Sequence, residues 1–126
     1  MGTTRHLWRS LLYIPGSNPR ALDKARSLQC DGIIFDLEDA VTPEAKPDAR
    51  AALAAALAEG GYGDRARIVR INALDSGWAR DDLEALSGAA LDGVLLPKVD
   101  GPDHVAELAA LMAQTGLGGT PIWAMM

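Results

Sequence analysis

Short apolar runs alternate with amphipathic segments along the whole chain. Between the runs, apolar residues recur three or four positions apart, as with Leu53 and Leu57 or Leu108 and Met112, which is typical of amphipathic helices. The runs themselves have the length of buried strands and cover residues 10–14, 32–37, 67–72, 93–96 and 121–126. The pattern predicts the order β-α-β-α-β-α-β-α-β.

Local signals mark the ends of the predicted helices. Asn-Pro at 18–19 and Thr-Pro at 42–43 each place a capping side chain before a proline, which predicts that helices start there. Gly-Gly at 60–61 ends the second helix. A third helix is expected from about residue 79, and Gly-Pro-Asp at 101–103 opens a fourth.

Strands that alternate with single helices are parallel and joined by right-handed crossovers. Two α/β architectures fit this order. One is a five-stranded doubly wound sheet, of which a signalling receiver domain is a remote example. The other is the first half of a (β/α)8 TIM barrel, with about four βα units plus a fifth strand, so that the chain is truncated relative to a complete barrel.

Polar residues gather where the predicted strands end. In parallel α/β folds these carboxyl ends share one face, where ligands bind. Acids and cations should therefore converge on one mouth, although helix capping by the acids and simple pairing with Arg70 are alternatives. The residues concerned are Tyr13 after strand 1, Asp36, Glu38 and Asp39 after strand 2, Arg70 and Asn72 after strand 3, and Lys98 after strand 4.

Composition and motif content exclude several classes of function. The net charge of −5 argues against a nucleic-acid binder, which would carry a basic face. No apolar run approaches the length of a membrane span, and no signal peptide is evident, so we expect a cytoplasmic protein without a membrane partner. The sequence contains no G-x-G-x-x-G or Walker loop and no Cys/His metal spacing.

Six motifs in register resemble the citrate lyase beta-subunit-like family, which includes malyl-CoA and citramalyl-CoA lyases, within the HpcH/HpaI aldolase superfamily. The resemblance runs from about residue 9 to the last residue. It is carried by RSLLYIPGSNP at 9–19, Lys24-Ala25, DLEDAV at 36–41, Lys46 with Ala49-Arg50, Arg70-Ile71-Asn72, and LPKV at 96–99.

This resemblance implies a fold, a reaction and site residues. Residues 1–126 would form the N-terminal half of a (β/α)8 barrel domain, in a family usually assembled as homo-oligomeric trimers or hexamers. Its members are Mg2+-dependent lyases that cleave or form a carbon–carbon bond between acetyl-CoA and a 2-oxo acid such as oxaloacetate, pyruvate or glyoxylate. The catalytic candidates are Arg70, Asp36 and Glu38, and the substrate-binding candidates are Tyr13, Ile14, Lys24, Arg70 and Lys98.

The sequence also departs from the family pattern. The family's metal-binding glutamate follows the fifth strand and its metal-binding aspartate lies further on, so neither Mg2+ ligand is expected within these 126 residues. We therefore expect no metal site in this chain and no activity from it alone. A non-catalytic fragment or a self-associating half barrel is the alternative, because open sheet edges and an exposed apolar face favour association.

Overall fold

The computed structural model describes residues 11–27, 31–38, 42–63, 65–87, 89, 91–97 and 102–124. Five strands follow the predicted order: β1 Leu11–Pro15, β2 Gly32–Asp36, β3 Ala66–Arg70, β4 Gly93–Leu96 and β5 Ile122–Ala124. Four α-helices connect them: α1 Pro19–Lys24, α2 Lys46–Glu59, α3 Ala79–Ala85 and α4 Pro102–Gln114. Short 3-10 turns cover Ala25–Ser27, Pro43–Ala45 and Leu74–Ser76. Within the described ranges, no helix combines the length and apolar character that crossing a membrane requires.

All five strands are parallel, and each pairs with the strand next to it in sequence. The order across the sheet is β1-β2-β3-β4-β5. A doubly wound sheet reverses its strand order at a switch point, and a receiver domain shows the order 2-1-3-4-5. The observed order excludes both and is the arrangement found in the wall of a (β/α)8 barrel.

The two faces of the sheet have different environments. On the face covered by the helices, Phe35, Val69 and Val94 from three strands pack with helical residues such as Leu53 and Leu83 into one large core. The opposite face carries the alternate strand residues, which form a smaller apolar cluster of Ile34, Ala66, Ile68 and Leu95 with Trp123 packed against it. Strand alternation therefore sends one set of side chains to the helices and the other set to the opposite face.

Several element boundaries differ from the sequence prediction. Asn18 caps α1 as predicted, since its side-chain oxygen accepts a hydrogen bond from the Ala21 amide at 3.1 Å. Thr42 makes no such bond, and a 3-10 turn precedes α2, which starts only at Lys46. The third strand ends at Arg70, two residues earlier than predicted.

Candidate functional site

A buried ion pair joins the ends of β2 and β3. Asp36 and Arg70 lie directly opposite each other in the parallel register. The Arg70 Nε donates to Asp36 Oδ1 at 2.9 Å and Nη2 donates to Oδ2 at 2.7 Å, so the guanidinium and the carboxylate form a two-bond fork. Such forks fix the orientation of both groups as well as binding them.

Two further side chains surround the Arg70 guanidinium. The Glu38 Oε1 lies 3.6 Å from Arg70 Nε, and the Glu38 side chain is mostly buried. The Tyr13 ring lies against the guanidinium, with 5.0 Å between the guanidinium carbon and the ring centre, while Tyr13 itself is half exposed. The predicted convergence of acids and a cation at the carboxyl ends of the strands is therefore present.

The surroundings of Arg70 favour its charged form. The hydrogen bond with Asp36 raises the pKa of Arg70 further above its already high ordinary value, against the opposing effect of burial. The charges of Asp36 and Glu38 act in the same upward direction. Arg70 therefore presents a permanent, oriented positive charge at the mouth of the sheet.

Behind this pair lies a second polar cluster on the helix side of the strand ends. The Lys46 ammonium, 6% exposed, donates to the Leu37 carbonyl at 3.0 Å, to the Glu38 carbonyl at 3.2 Å and to Asn72 Oδ1 at 2.7 Å. Asn72 Nδ2 donates to the same Leu37 carbonyl at 3.0 Å. The backbone that leaves β2 is thus held by a lysine from α2 and an asparagine that follows β3.

Asp82 on α3 connects this cluster to a second cation. Its side chain is fully buried, and Oδ2 accepts from the Asn72 amide at 2.8 Å and from Asn72 Nδ2 at 2.7 Å. Asp82 Oδ1 accepts from Arg50 Nε at 2.8 Å. Arg50 also donates to the Trp78 carbonyl and lies over the Trp78 ring. We call Lys46, Asn72, Asp82 and Arg50 the polar network.

Sequence reasoning did not find the polar network as a unit. Lys46 and Arg50 entered only as parts of a family motif, and Asp82 did not enter at all. A signal for Asp82 is nevertheless present, because Ala79, Asp82 and Leu86 follow the i, i+3, i+7 spacing of one helix face. An acid on an otherwise apolar stripe predicts a buried partner of opposite charge.

The structure separates the remaining predicted site residues. The Ile14 side chain belongs to the core on the helix side and so points away from Tyr13 and Arg70. Lys24 is exposed at the end of α1. Asn72, expected beside Arg70, turns to the polar network instead. Asp39 and Lys98 lie outside the described residues.

The described carboxylates at the ends of the strands are those of Asp36 and Glu38. Mg2+ requires near-octahedral oxygen coordination, usually with carboxylate ligands. Within the part of the chain that the structure describes, no group of three or more His, Cys, Asp and Glu side chains could hold a metal ion. Asp36 and Glu38 face the Arg70 guanidinium instead, and its positive charge disfavours a second cation between them.

Comparisons with known proteins agree on one family. The family model described as HpcH/HpaI aldolase/citrate lyase matches residues 9–120. A (3S)-malyl-CoA thioesterase of Cereibacter sphaeroides (strain KD131 / KCTC 12085) is 48% identical over 126 residues, which is 100% of this chain and 42% of that protein. The chain thus spans less than half the length of this curated relative.

Solved structures of related proteins share the fold. CitE of Mycobacterium tuberculosis, in complex with magnesium, acetoacetate and coenzyme A, is 33% identical with a TM-score of 0.70, covering 94% of this chain and 39% of that one. A citrate lyase beta subunit from M. tuberculosis, complexed with oxaloacetate and magnesium, is 32% identical with a TM-score of 0.66, covering 90% and 56%.

Proposed function

Because the chain belongs to the HpcH/HpaI aldolase/citrate lyase family, we propose that it is part of an enzyme that cleaves or forms a carbon–carbon bond between a small 2-oxo acid and acetyl-CoA. The observation that carries this proposal is the forked Asp36–Arg70 pair at the carboxyl ends of the strands. Related proteins in complex with oxaloacetate, or with acetoacetate and coenzyme A, support the substrate classes.

In this proposal Arg70 binds the carboxylate of the oxo acid. A planar guanidinium recognises a carboxylate through hydrogen bonds that also orient the substrate. The fork with Asp36 uses the Nε edge of Arg70, so the oxo acid would bind at the Nη1–Nη2 edge. Asp36 and Glu38 orient Arg70 and set the charge around it, while Tyr13 offers an exposed ring beside the same guanidinium. Bond cleavage leaves negative charge on the substrate, and an oriented positive charge stabilises it.

In this proposal further cations assist Arg70. Asp36 and Glu38 both face the Arg70 guanidinium, so part of its positive charge is balanced before an anionic substrate binds. We propose that Lys98, which follows β4, and a Mg2+ ion held by residues other than the described ones supply further positive charge. Lys24, exposed on α1, is the proposed contact for the CoA portion.

A second candidate function is hydrolysis of a malyl-CoA thioester. The observation that favours it is the 48% identity with a (3S)-malyl-CoA thioesterase over the whole of this chain, against 33% and 32% for the two M. tuberculosis structures compared above. Both functions need a positive group for the acid end of the substrate, so Arg70 has the same role in each.

The two functions give different products from one substrate. Incubation with (3S)-malyl-CoA and Mg2+ should yield glyoxylate and acetyl-CoA from a lyase, but malate and free CoA from a thioesterase. A thiol reagent detects only the free CoA, and a hydrazine reagent detects only the glyoxylate. The full-length enzyme that contains this chain is the sample to use. Absence of free CoA would contradict the thioesterase. Absence of cleavage of all three thioesters, those that acetyl-CoA forms with glyoxylate, pyruvate and oxaloacetate, would contradict the lyase.

The proposed role of Arg70 has a matched control on the same strand. Arg70→Lys keeps the charge but cannot form a fork, so oxo-acid binding should fall roughly ten- to a hundredfold. Arg67→Lys changes an arginine three positions earlier that pairs with Asp92 rather than with the cluster, and should leave binding unchanged. Equal affinities of the Arg70→Lys variant and the wild type, measured calorimetrically with oxaloacetate, would refute the role.

We further propose that residues 1–126 form one half-barrel domain that does not turn over substrate by itself and that the enzyme assembles as a homo-oligomer. The chain spans 42% of the length of a 48% identical relative, which supports the first point. Activity of the purified 126-residue chain with Mg2+ would contradict it, and a monomeric mass in solution would contradict the second.

A further inference from the structure

We propose that Lys46 is a positioning residue for the oxo-acid site, a role that rests on the function proposed above. Its buried ammonium holds the Leu37–Glu38 backbone, and this backbone in turn sets the orientation of Asp36 and Arg70. Lys46 itself touches neither of those two side chains through any of the three hydrogen bonds described above. Through two of these bonds, to the Leu37 and Glu38 carbonyls, Lys46 acts on the turn that follows β2.

The turn after β2 is held from both sides at Glu38. Its carbonyl accepts from Lys46 Nζ at 3.2 Å, while its amide donates to Asp36 Oδ1 at 2.8 Å. Asp36 Oδ1 also accepts from Arg70 Nε at 2.9 Å. One carboxylate oxygen is thus fixed by the backbone of the turn and by the guanidinium together, so a shift of the turn moves the partner of Arg70.

The Lys46 ammonium is itself held in place by the rest of the polar network. Asn72 Oδ1 accepts from it at 2.7 Å, and Asn72 is anchored to the buried Asp82 by two hydrogen bonds. Asp82 is paired with Arg50. Among the contacts described, the Asp82 carboxylate and several oriented carbonyl oxygens oppose the charges of Lys46 and Arg50, which leaves Lys46 little freedom to move.

Such a rigid arrangement suits the task assigned to Arg70. Substrate-positioning groups act only when their own orientation is fixed by neighbouring contacts, and a misplacement of about 1 Å is costly. A loosened turn would let Asp36 rotate away from the fork and would let Glu38 leave its place beside Arg70. Loss of Lys46 should therefore loosen the oxo-acid site more than it loosens the fold.

The test uses nuclear magnetic resonance on the ligand-free protein, and compares hydrogen exchange of single N–H groups. Lys46→Met keeps the length of the side chain and removes the ammonium. Exchange of the Arg70 Nε–H and of the Glu38 amide should accelerate by roughly fivefold or more, the factor that corresponds to one hydrogen bond. The Arg70 signal is assigned from its loss in Arg70→Lys.

An internal reference separates local loosening from general destabilisation. Arg26 Nε–H donates to the Gly60 carbonyl at 2.6 Å, on the helix side of the fold and outside the polar network. Its exchange should not change in Lys46→Met. Arg80→Met, which removes an exposed cation paired with Glu84, should change none of these signals.

Each outcome decides the proposal. Unchanged exchange at Arg70 and Glu38 in Lys46→Met would overturn it, and so would equal acceleration at Arg26, because the role would then be purely structural. Should Lys46→Met fail to fold, Lys46→Gln decides by the same signals, since it removes the ammonium, keeps a polar side chain and leaves the contacts of Asn72 with Leu37 and Asp82 in place. Failure of both variants to fold would also assign a structural role and overturn the proposal.

Oxo-acid binding then tests the link to function. Oxaloacetate affinity should fall several-fold in Lys46→Met if the loosened site is the oxo-acid site. Absence of binding of oxaloacetate, pyruvate and glyoxylate to the wild type would defeat the proposed function and leave the exchange result intact. If Lys46→Met shows faster exchange but unchanged oxaloacetate affinity, the coupling between Lys46 and Arg70 stands. The proposed role of Arg70 in substrate binding would then be overturned.

Discussion

Replacing Asp82 by asparagine changes one atom at the centre of the polar network. The Asp82 carboxylate is fully buried and accepts three hydrogen bonds, one from Arg50 Nε and two from Asn72. An asparagine side chain has almost the same shape but carries an NH2 group in place of one oxygen. In either orientation of the amide, this NH2 faces a donor from Arg50 or Asn72.

The expected loss of stability follows from these contacts. Asp82→Asn removes the negative charge next to Arg50, whose side chain is only 10% exposed. Breaking a buried ion pair by neutralising one partner costs about 3–5 kcal/mol, because the remaining charge stays buried without compensation. For a domain of this size, such a loss corresponds to a melting temperature lower by roughly 10–20 °C.

The neighbouring residue provides a matched control. Asp81 is exposed in the same first turn of α3, so Asp81→Asn removes the same charge from the same helix end. Asp81→Asn should lower the free energy of unfolding by no more than about 1 kcal/mol, the contribution expected of an acid at a helix N-terminus. Urea denaturation followed by circular dichroism measures both. An Asp82→Asn variant within about 1 kcal/mol of the wild type, or equal losses for both variants, would refute the reasoning.

Three further changes can be measured in the same denaturation assay. Gly116→Ala should lower the free energy of unfolding by about 1–3 kcal/mol, because φ is 82° and a Cβ would lie 2.7 Å from the Ser87 hydroxyl oxygen. Gly118→Ala, where the nearest atom lies 3.5 Å from the added Cβ, should lower it by less than about 1 kcal/mol. Burial raises the pKa of Tyr62 in the folded state. Its contribution to the stability of the fold is therefore complete below the unfolded-state pKa of about 10, and it is lost as pH rises through the folded-state pKa. Tyr62→Phe should therefore be about 1 kcal/mol less stable at pH 7 and approach the wild type above about pH 10, and a constant difference would contradict this. Tyr13→Leu should lower the free energy of unfolding by about 0.5–1 kcal/mol, because it removes the aromatic ring from Arg70. Tyr13→Phe keeps a ring and should lower it by less. Equal losses of stability in the two variants would contradict a contribution of the ring.

Alternation along the strands made the ion pair predictable. Asp36 and Arg70 each end a short apolar run, and parallel strands bring such ends together. The register also places them on the same face as Ile34 and Ile68, which the period of two requires. The sequential strand order was not predictable from the spacing alone, because a doubly wound sheet and a barrel share the same βα repeat.

The same alternation gave a wrong prediction for Asn72, which was expected beside Arg70. Two positions after Arg70, it is expected on the same face if the strand continues, but β3 ends at Arg70 and the period of two no longer applies. Hydrogen bonds to Asp82 then fix Asn72 on the helix side. Lys46 was equally difficult to assign, because a lysine in the first turn of a helix is usually solvated and only a tertiary contact buries it.

The polar network also has a consequence for the order in which the chain folds during synthesis. Its last member in sequence is Asp82, so all its groups are made before β4 and β5. Each strand pairs with the one synthesised just before it, and chains fold from the N-terminus as they leave the ribosome. We therefore expect a nascent chain that has emerged past α3 to contain the closed Lys46–Asn72–Asp82–Arg50 network, with the Asp36–Arg70 pair already formed beside it.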